Sequence, residues 1–363
     1  MPISQVPFAG ISNPVDFRNI VINGDMQIAQ RSTSVSSITT EGYYTVDRFK
    51  LLISSLGTFT QSQSTDVPSG YGFANSLKMD CTTADATPSA NDYLILNQLF
   101  EGQNLQYLKK GTANALPLTA SFWVKSTKTG TFILELIDDD NSRSISKSYT
   151  VNVSNTWEFK TITFAGDTTG TLTNDNGTSL VLSFWLGAGS TFTSGTLATS
   201  WGSTVSANRA VGQVNIADSD ANDFLITGVQ LEAGEQASGF EFMPIDANLA
   251  RCQRYYYKEF VGSGKTFGAS VYATSATNAK VIGKFPVILR ADPSALEQSG
   301  TAAHYSVRAF SERACTAVPI FVSGTNKYAW ICDTTVASGQ TGGDGGDFIA
   351  ANAAAYLAWS AEL

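Results

Sequence analysis

Residues 118–137 read LTASFWVKSTKTGTFILELI. Two runs rich in β-branched and aromatic residues, Leu118–Val124 and Thr131–Ile137, are separated by the turn-forming STKTG, a pattern that predicts a hairpin. In the second run Phe132, Leu134 and Leu136 share one face by the two-residue period of a strand. SLVLSFWL at Ser179–Leu186 repeats this, with Leu180, Leu182, Phe184 and Leu186 on one side and Ser183 on the other. DDDNSR at Asp138–Arg143 turns the chain into SISKSYTVNV, and further strands are expected at Thr156–Phe164 and Asp223–Leu231. Many short strands with almost no helical period predict an all-β protein, with a jelly roll or β-sandwich over residues 20–243. Phe122, Trp123 and Phe184 lie inside strands and are assigned to the core. Residues 187–213 form the longest weakly patterned stretch, read as a surface loop around Trp201.

Outward from this region the chain changes character. Residues 1–19 hold prolines and small residues without a period, and read as an extended arm. DANLARCQRYYYKEF predicts a short helical neck within residues 244–260, with Asp246 as N-cap and Leu249, Cys252 and Tyr256 on one stripe. Arg251, Arg254 and Lys258 lie toward its C-terminal end, where positive charge suits the helix dipole. Residues 261–363 are β-rich again and predict a small C-terminal β-sandwich, with SGQTGGDGGDF as a loop.

Composition narrows the function. The 363 residues are 43% apolar and only 15% charged, against about 25% charged in average proteins. The net charge is −8, and the 23 Lys and Arg form no cluster, which argues against nucleic acid or an anionic membrane, both of which need concentrated positive charge. No run of about 20 apolar residues is present. MPISQVPFAGISNPVDF lacks the basic start and apolar run of a secretory signal, so synthesis in a reducing cytosol is expected. Cys81, Cys252, Cys315 and Cys332 match no zinc spacing and read as buried thiols, with a Cys315–Cys332 pair left open.

Enzymatic motifs are weak. GSGKTFG (Gly262–Gly268) has Glu259 where a phosphate-binding loop needs its first glycine, and reads as a turn. The single histidine, His304, lies near no nucleophile elbow. Asp138, Asp139 and Asp140 are crowded in a turn and read as a solvated hairpin tip, although a pair of carboxylates distant in sequence stays open for glycoside hydrolysis. Asp218, Asp220, Asn222 and Asp223 offer oxygen ligands for a structural calcium ion; a solvated turn is the preferred reading. No other cofactor is expected. Trp201, Tyr328 and Trp330 are the candidates for stacking on sugar rings, weighed against a core or interface role.

At NIVINGDMQIAQR and EGYYTVDRF the sequence resembles a family of bacteriophage tail fibre and receptor-binding proteins. The matching residues are Asn23, Gly24, Asp25, Met26, Gln30 and Arg31, then Tyr44, Asp47, Arg48 and Phe49. Gln230–Gly234 (QLEAG), Phe240, Glu241 and Cys252–Tyr256 (CQRYY) follow in the family's order, and the terminal YLAWSAEL is similar to the Ala-Glu-Leu end of many such chains. The β domain is also similar in outline to the jelly rolls of carbohydrate-binding modules.

The resemblance implies a homotrimer packed about the neck through Leu249, Cys252, Tyr255 and Tyr256. It further implies a mount on other virion tail proteins through residues 1–19, and a distal C-terminal domain that binds a host-surface polysaccharide. The chain is then expected in the virion tail after synthesis in the host cytoplasm, without catalysis, membrane insertion or nucleic-acid binding. The alternatives are a purely structural virion protein, such as a head decoration or tail adaptor, and a tailspike polysaccharide hydrolase.

Overall fold

The computed structural model describes residues 17–363; the arm expected at 1–19 falls almost wholly outside them. The first unit contains β1 (Ser34–Ile38), β2 (Gly42–Tyr43), β3 (Lys50–Ser54), β4 (Thr58–Ser64), β5 (Ser76–Thr83), β6 (Tyr93–Glu101), β7 (Leu118–Ser126) and β8 (Gly130–Asp138). It continues with β9 (Arg143–Val151), β10 (Glu158–Phe164), β11 (Thr178–Ala188), a one-turn helix α1 (Ser190–Thr193), β12 (Gly202–Ser203) and β13 (Asp223–Ala233). A six-stranded sheet in the order β1-β4-β5-β13-β7-β10 faces a seven-stranded sheet in the order β12-β9-β8-β11-β6-β3-β2. Every pairing is antiparallel. The expected jelly-roll sandwich is present.

Alternation builds the core. Phe122 and Val124 of one sheet meet Phe132, Leu134, Leu136, Leu182, Phe184 and Leu186 of the other, all at most 1% exposed. DDDNSR forms the expected hairpin, with Asp138 opposite Arg143. STKTG does not: β7 pairs with β10 and β13, while β8 pairs with β9 and β11. That turn carries the chain from one sheet to the other, because both flanking runs have an apolar face and bury them against each other across the sandwich. The loop expected at 187–213 covers the outer face of the seven-stranded sheet, where Phe192, Leu197 and Ala210 pack over Ile95, Ile133 and Trp185.

The helix α2 (Ile245–Gln253) is nine residues long and starts one residue before Asp246; Pro244 takes the cap position and Asp246 sits in the first turn. The chain then becomes β14 (Tyr256–Glu259), β15 (Lys265–Ala273), β16 (Asn278–Lys284), β17 (Glu297–Gln298), β18 (Tyr305–Arg308), β19 (Glu312–Phe321), β20 (Ala329–Val336), β21 (Gly345–Ala350) and β22 (Leu357–Ser360). Six of these close into a barrel, β15-β16-β20-β19-β18-β21, and β14-β22-β17 form a separate sheet beside it. The C-terminal unit is therefore all-β as expected, with its main sheet closed on itself. Trp330 fills the barrel and lies against Trp359, ring centroids 4.6 Å apart. A Cβ on Gly283 would stand 2.2 Å from the Trp330 ring, so only glycine fits there. No helix among the described residues is long and apolar enough to cross a membrane.

The neck expected to face a three-fold axis is instead internal to the chain. Cys252 and Tyr255 are buried against Ile22 and Ile28, with Leu249 and Leu363 packed around them. Tyr256 is 1% exposed and starts β14, opposite Ser360. The physical reason is that Tyr255–Tyr257 favour strand over helix, so the stripe stops at Cys252 and its apolar side chains are used within the subunit.

The motifs that carry the resemblance converge at this junction. Asn23 adopts a left-handed backbone, and its amide donates to the carbonyls of Ile28 and Asp47 at 2.8 and 3.1 Å. A Cβ on Gly24 would lie 2.0 Å from the Val229 carbonyl oxygen. Gln30 donates to Asp47 Oδ1 from its backbone and to the Tyr256 carbonyl from its side chain. Arg48 is fully buried; its guanidinium lies 3.5 Å from the Tyr255 ring centroid, donates to the Leu99 carbonyl and pairs with Glu362. Arg31 joins the same carboxylate at 3.3 Å and covers the Tyr256 ring. The opening motifs of the jelly roll thus clasp the last residues of the chain.

Candidate functional site

On the outer face of the six-stranded sheet the period of two turns Phe122 inward and Trp123 outward. Trp123 is half-buried, and β10 places Phe159 directly opposite it, 49% exposed. The connection from β4 to β5 lays Tyr71, 56% exposed, against Trp123. The three rings form a row, with centroids 4.2 Å apart from Tyr71 to Trp123 and 5.4 Å from Trp123 to Phe159. Phe242 continues it beyond Gly72, packed on Phe73 and Phe240 and itself 48% exposed. Isolated exposed apolar residues need no explanation, and a contiguous aromatic strip is a candidate binding surface.

Polar groups flank the row in fixed positions. Asp66 accepts from Lys125 Nζ at 2.7 Å and from the Trp157 indole at 2.9 Å. Partial burial pushes the Asp66 carboxyl up, and those two hydrogen bonds together with the lysine charge outweigh it, leaving its pKa below the ordinary value. On the other face of β10 from Phe159, in register with Val124 and Phe122 and so away from the row, Glu158 accepts from the backbone of Asn152 and Val153, from the Asn152 amide at 2.7 Å and from Lys160 at 2.6 Å. Burial opposes ionisation there too, but these donors hold the carboxyl down at about 2. Beside the row, Asp66 and Lys125 are thereby pre-positioned, which lowers the ordering cost of binding. The arrangement suits a ligand with apolar faces and a hydroxylated edge.

The residues expected to bind glycan do not gather. Trp330 is wholly buried and belongs to the barrel core, a correction that follows from its register opposite Gly283. Trp201 is half-buried on the jelly roll, its indole donating to the Ala165 carbonyl at 2.7 Å and Lys110 lying 5.3 Å from its ring. Tyr328 is exposed on the C-terminal unit with Lys327 as its cation partner. Trp123, assigned to the core with Phe122, is the residue missed. The signal was available: neighbours in one strand cannot both face inward.

The acidic turn is taken up by lysines. Asp218 pairs with Lys128 and accepts from Asn222 at 2.6 Å, while Asp223 pairs with Lys78 at 3.1 Å and Asp220 is exposed. Among the described residues no three acidic, histidine or cysteine side chains converge as metal ligands. Asp138 is not at a solvated tip as expected; it is buried and paired with Lys110, with Asn141 closing the turn. His304 meets Ser299 at 2.9 Å. Of GSGKTFG only Gly262–Gly264 turn, with Gly262 and Gly264 at positive φ, and Lys265–Gly268 already belong to β15. All four cysteines are free and buried, and burial pushes Cys315 up to about 12.

No protein-family model matches the sequence, and no curated protein matches it. Among solved structures, the chain is similar to the enzymatically active domain of tailspike protein 4 from bacteriophage CBA120, at 14% identity and a TM-score of 0.32, over 60% of this chain and 22% of that one. It is also similar to a CBM4 carbohydrate-binding module, at 11% identity and TM-score 0.28, over 58% of this chain and 97% of that one. A third is TmCBM61 in complex with β-1,4-galactotriose, at 10% identity and TM-score 0.29, over 60% and 99% of the two chains. The chain thus spans about a fifth of the tailspike domain and nearly the whole of the two modules. Scores this low carry nothing about ligand or activity to the present chain.

Proposed function

We propose that this chain is a glycan-binding protein of a phage tail, mounted by its N-terminal residues and holding a host-surface polysaccharide on the jelly roll without cleaving it. The observation that carries the reading is the row Tyr71–Trp123–Phe159, three partly open rings on one sheet face with the Asp66–Lys125 pair fixed beside them. Aromatic faces supply contact area at low entropic cost, and the charged neighbours supply hydrogen bonds to hydroxyls. The best-connected carboxylates of the jelly roll are already in ion pairs: Glu135 with Arg209, Glu101 with Arg254 and Asp138 with Lys110. That supports binding over hydrolysis. Several copies on one tail convert weak single sites into firm adhesion.

The test is adsorption. Purified protein should bind host-surface polysaccharide in a pull-down and compete with phage for cells, and Trp123→Ala should do neither. Release of new reducing ends from the polysaccharide would replace this reading with a hydrolase, and unimpaired adsorption in the presence of excess protein would leave only a structural role.

A further inference from the structure

The outer face of the other, seven-stranded sheet holds a groove of about 300 Å³ between β3 and the covering loop that carries Phe192 and Arg209. Register gives its floor. One rung runs Lys50–Asn97–Ser183–Glu135–Ser146 across five strands, polar at every position. The rungs on either side are apolar, Leu52–Ile95–Trp185 and Leu99–Val181–Ile137.

Part of the polar rung is satisfied within the protein. Glu135 accepts from the Trp185 indole at 2.9 Å and from Arg209 at 2.9 Å through both Nε and Nη2, and Ser146 donates to the Arg209 carbonyl. The other part is not. Asn97, 5% exposed and lining the groove, and Ser183, fully buried beside it, each carry a side-chain oxygen with no hydrogen-bond partner. Buried polar groups are almost always paired, and leaving them unpaired costs stability. Apolar residues at these two positions would continue the flanking rungs at no such cost.

We infer that this groove binds a single pyranose residue, whose edge hydroxyls meet the Asn97 side chain while its ring faces lie along the apolar rungs and the Tyr93 and Phe192 rings. The volume stands at the lower end of pockets that hold small ligands, roughly 300 Å³, which fits one ring and not a chain. Lys50 and Asp139 stand at the margin with opposite charges, so a neutral ligand is favoured over an ion. A lipid tail would leave the polar rung unmet. The site lies on the opposite face of the sandwich from the Tyr71–Trp123–Phe159 row, and its case does not depend on that row.

The experiment is a titration of the full chain with the methyl pyranosides of glucose, galactose, mannose, rhamnose and N-acetylglucosamine, followed by NMR on the Trp185 indole and the Asn97 side-chain amide. At least one sugar should give saturable shifts at both probes. Asn97→Leu should weaken that sugar at least about tenfold with an unchanged or higher melting temperature, since it removes an unpaired polar group. Trp123→Ala should leave the titration unchanged even where it abolishes polysaccharide binding, which separates this site from the one on the other face. No saturable shift with any of the five sugars, or equal affinity in wild type and Asn97→Leu, overturns the inference.

Discussion

Trp123 and Trp330 are both strand tryptophans, and substitution should separate them. Trp330→Ala empties the middle of the barrel and should cost about 3–5 kcal/mol, read as a large fall in melting temperature of the C-terminal unit. Trp123→Ala removes a half-open ring from the outer sheet. It should lower polysaccharide affinity at least about tenfold while moving the melting temperature by a few degrees at most; a fall as large as that of Trp330→Ala would make Trp123 a core residue. The alternation in LTASFWV made this distinction readable, because Phe122 and Trp123 point to opposite faces. Nothing in KYAWICDTT marked Trp330 as the barrel's filler, since that depends on Gly283, separated from it by three strands in the chain and opposite in register. Asp47 gives a pH signature. Burial pushes its carboxyl up to about 6, against the lowering hydrogen bonds from Gln30 and the Arg31 charge. A raised folded value means that stability from this group is full below the ordinary aspartate range near 4 and is lost as the pH rises through 6. Asp47→Asn cannot ionise, so its melting temperature relative to wild type should improve between pH 4 and pH 7; a flat difference across that range would show that Asp47 does not titrate there.

Among elements, the segment from α2 to β14 departs most from its reading. Helical spacing of Leu249, Cys252 and Tyr256 suggested a stripe for a three-fold axis, but the helix stops at Gln253 and the tyrosines enter a strand and a buried cluster. Spacing alone does not say whether an apolar stripe meets its own chain or another. The STKTG connection failed for a related reason: a hairpin turn and a crossing between sheets share the same turn chemistry, and only the partners of the two strands differ. The motifs at 23–31, 44–49, 252–256 and the terminus were legible as a set, and their common purpose becomes clear in the clasp on Glu362. Glu362→Ala would leave the fully buried Arg48 guanidinium without its carboxylate partner, beside the Leu99 carbonyl and the Tyr255 ring. Breaking one side of a buried pair costs about 3–5 kcal/mol, so calorimetry should show a lower melting transition, and Glu362→Gln should recover part of it. A neutral effect of Glu362→Ala would mean that the clasp adds nothing to holding the terminus.

At the scale of the molecule, the buried residues of the neck leave any self-association to other surfaces. Tyr256→Asp would place a charge inside the subunit, where it should unfold the junction instead of dissolving an oligomer. The barrel offers a different surface. Ile282 is 40% exposed and stands opposite Ile331, and Tyr272, 41% exposed, is its diagonal neighbour on β15; Ile320 on β19 adds a third exposed side chain at 57%. On a trimer whose copies meet through this side, Ile282→Glu should lower the mass seen by light scattering to that of one chain without lowering the melting temperature of the barrel, because the side chain already faces outward. The same variant should keep its affinity for a short oligosaccharide, held by one jelly roll, and lose retention on immobilised polysaccharide, where three linked sites raise the effective concentration. A wild-type chain that scatters as a monomer and is still retained on polysaccharide would place all of the binding strength in a single subunit.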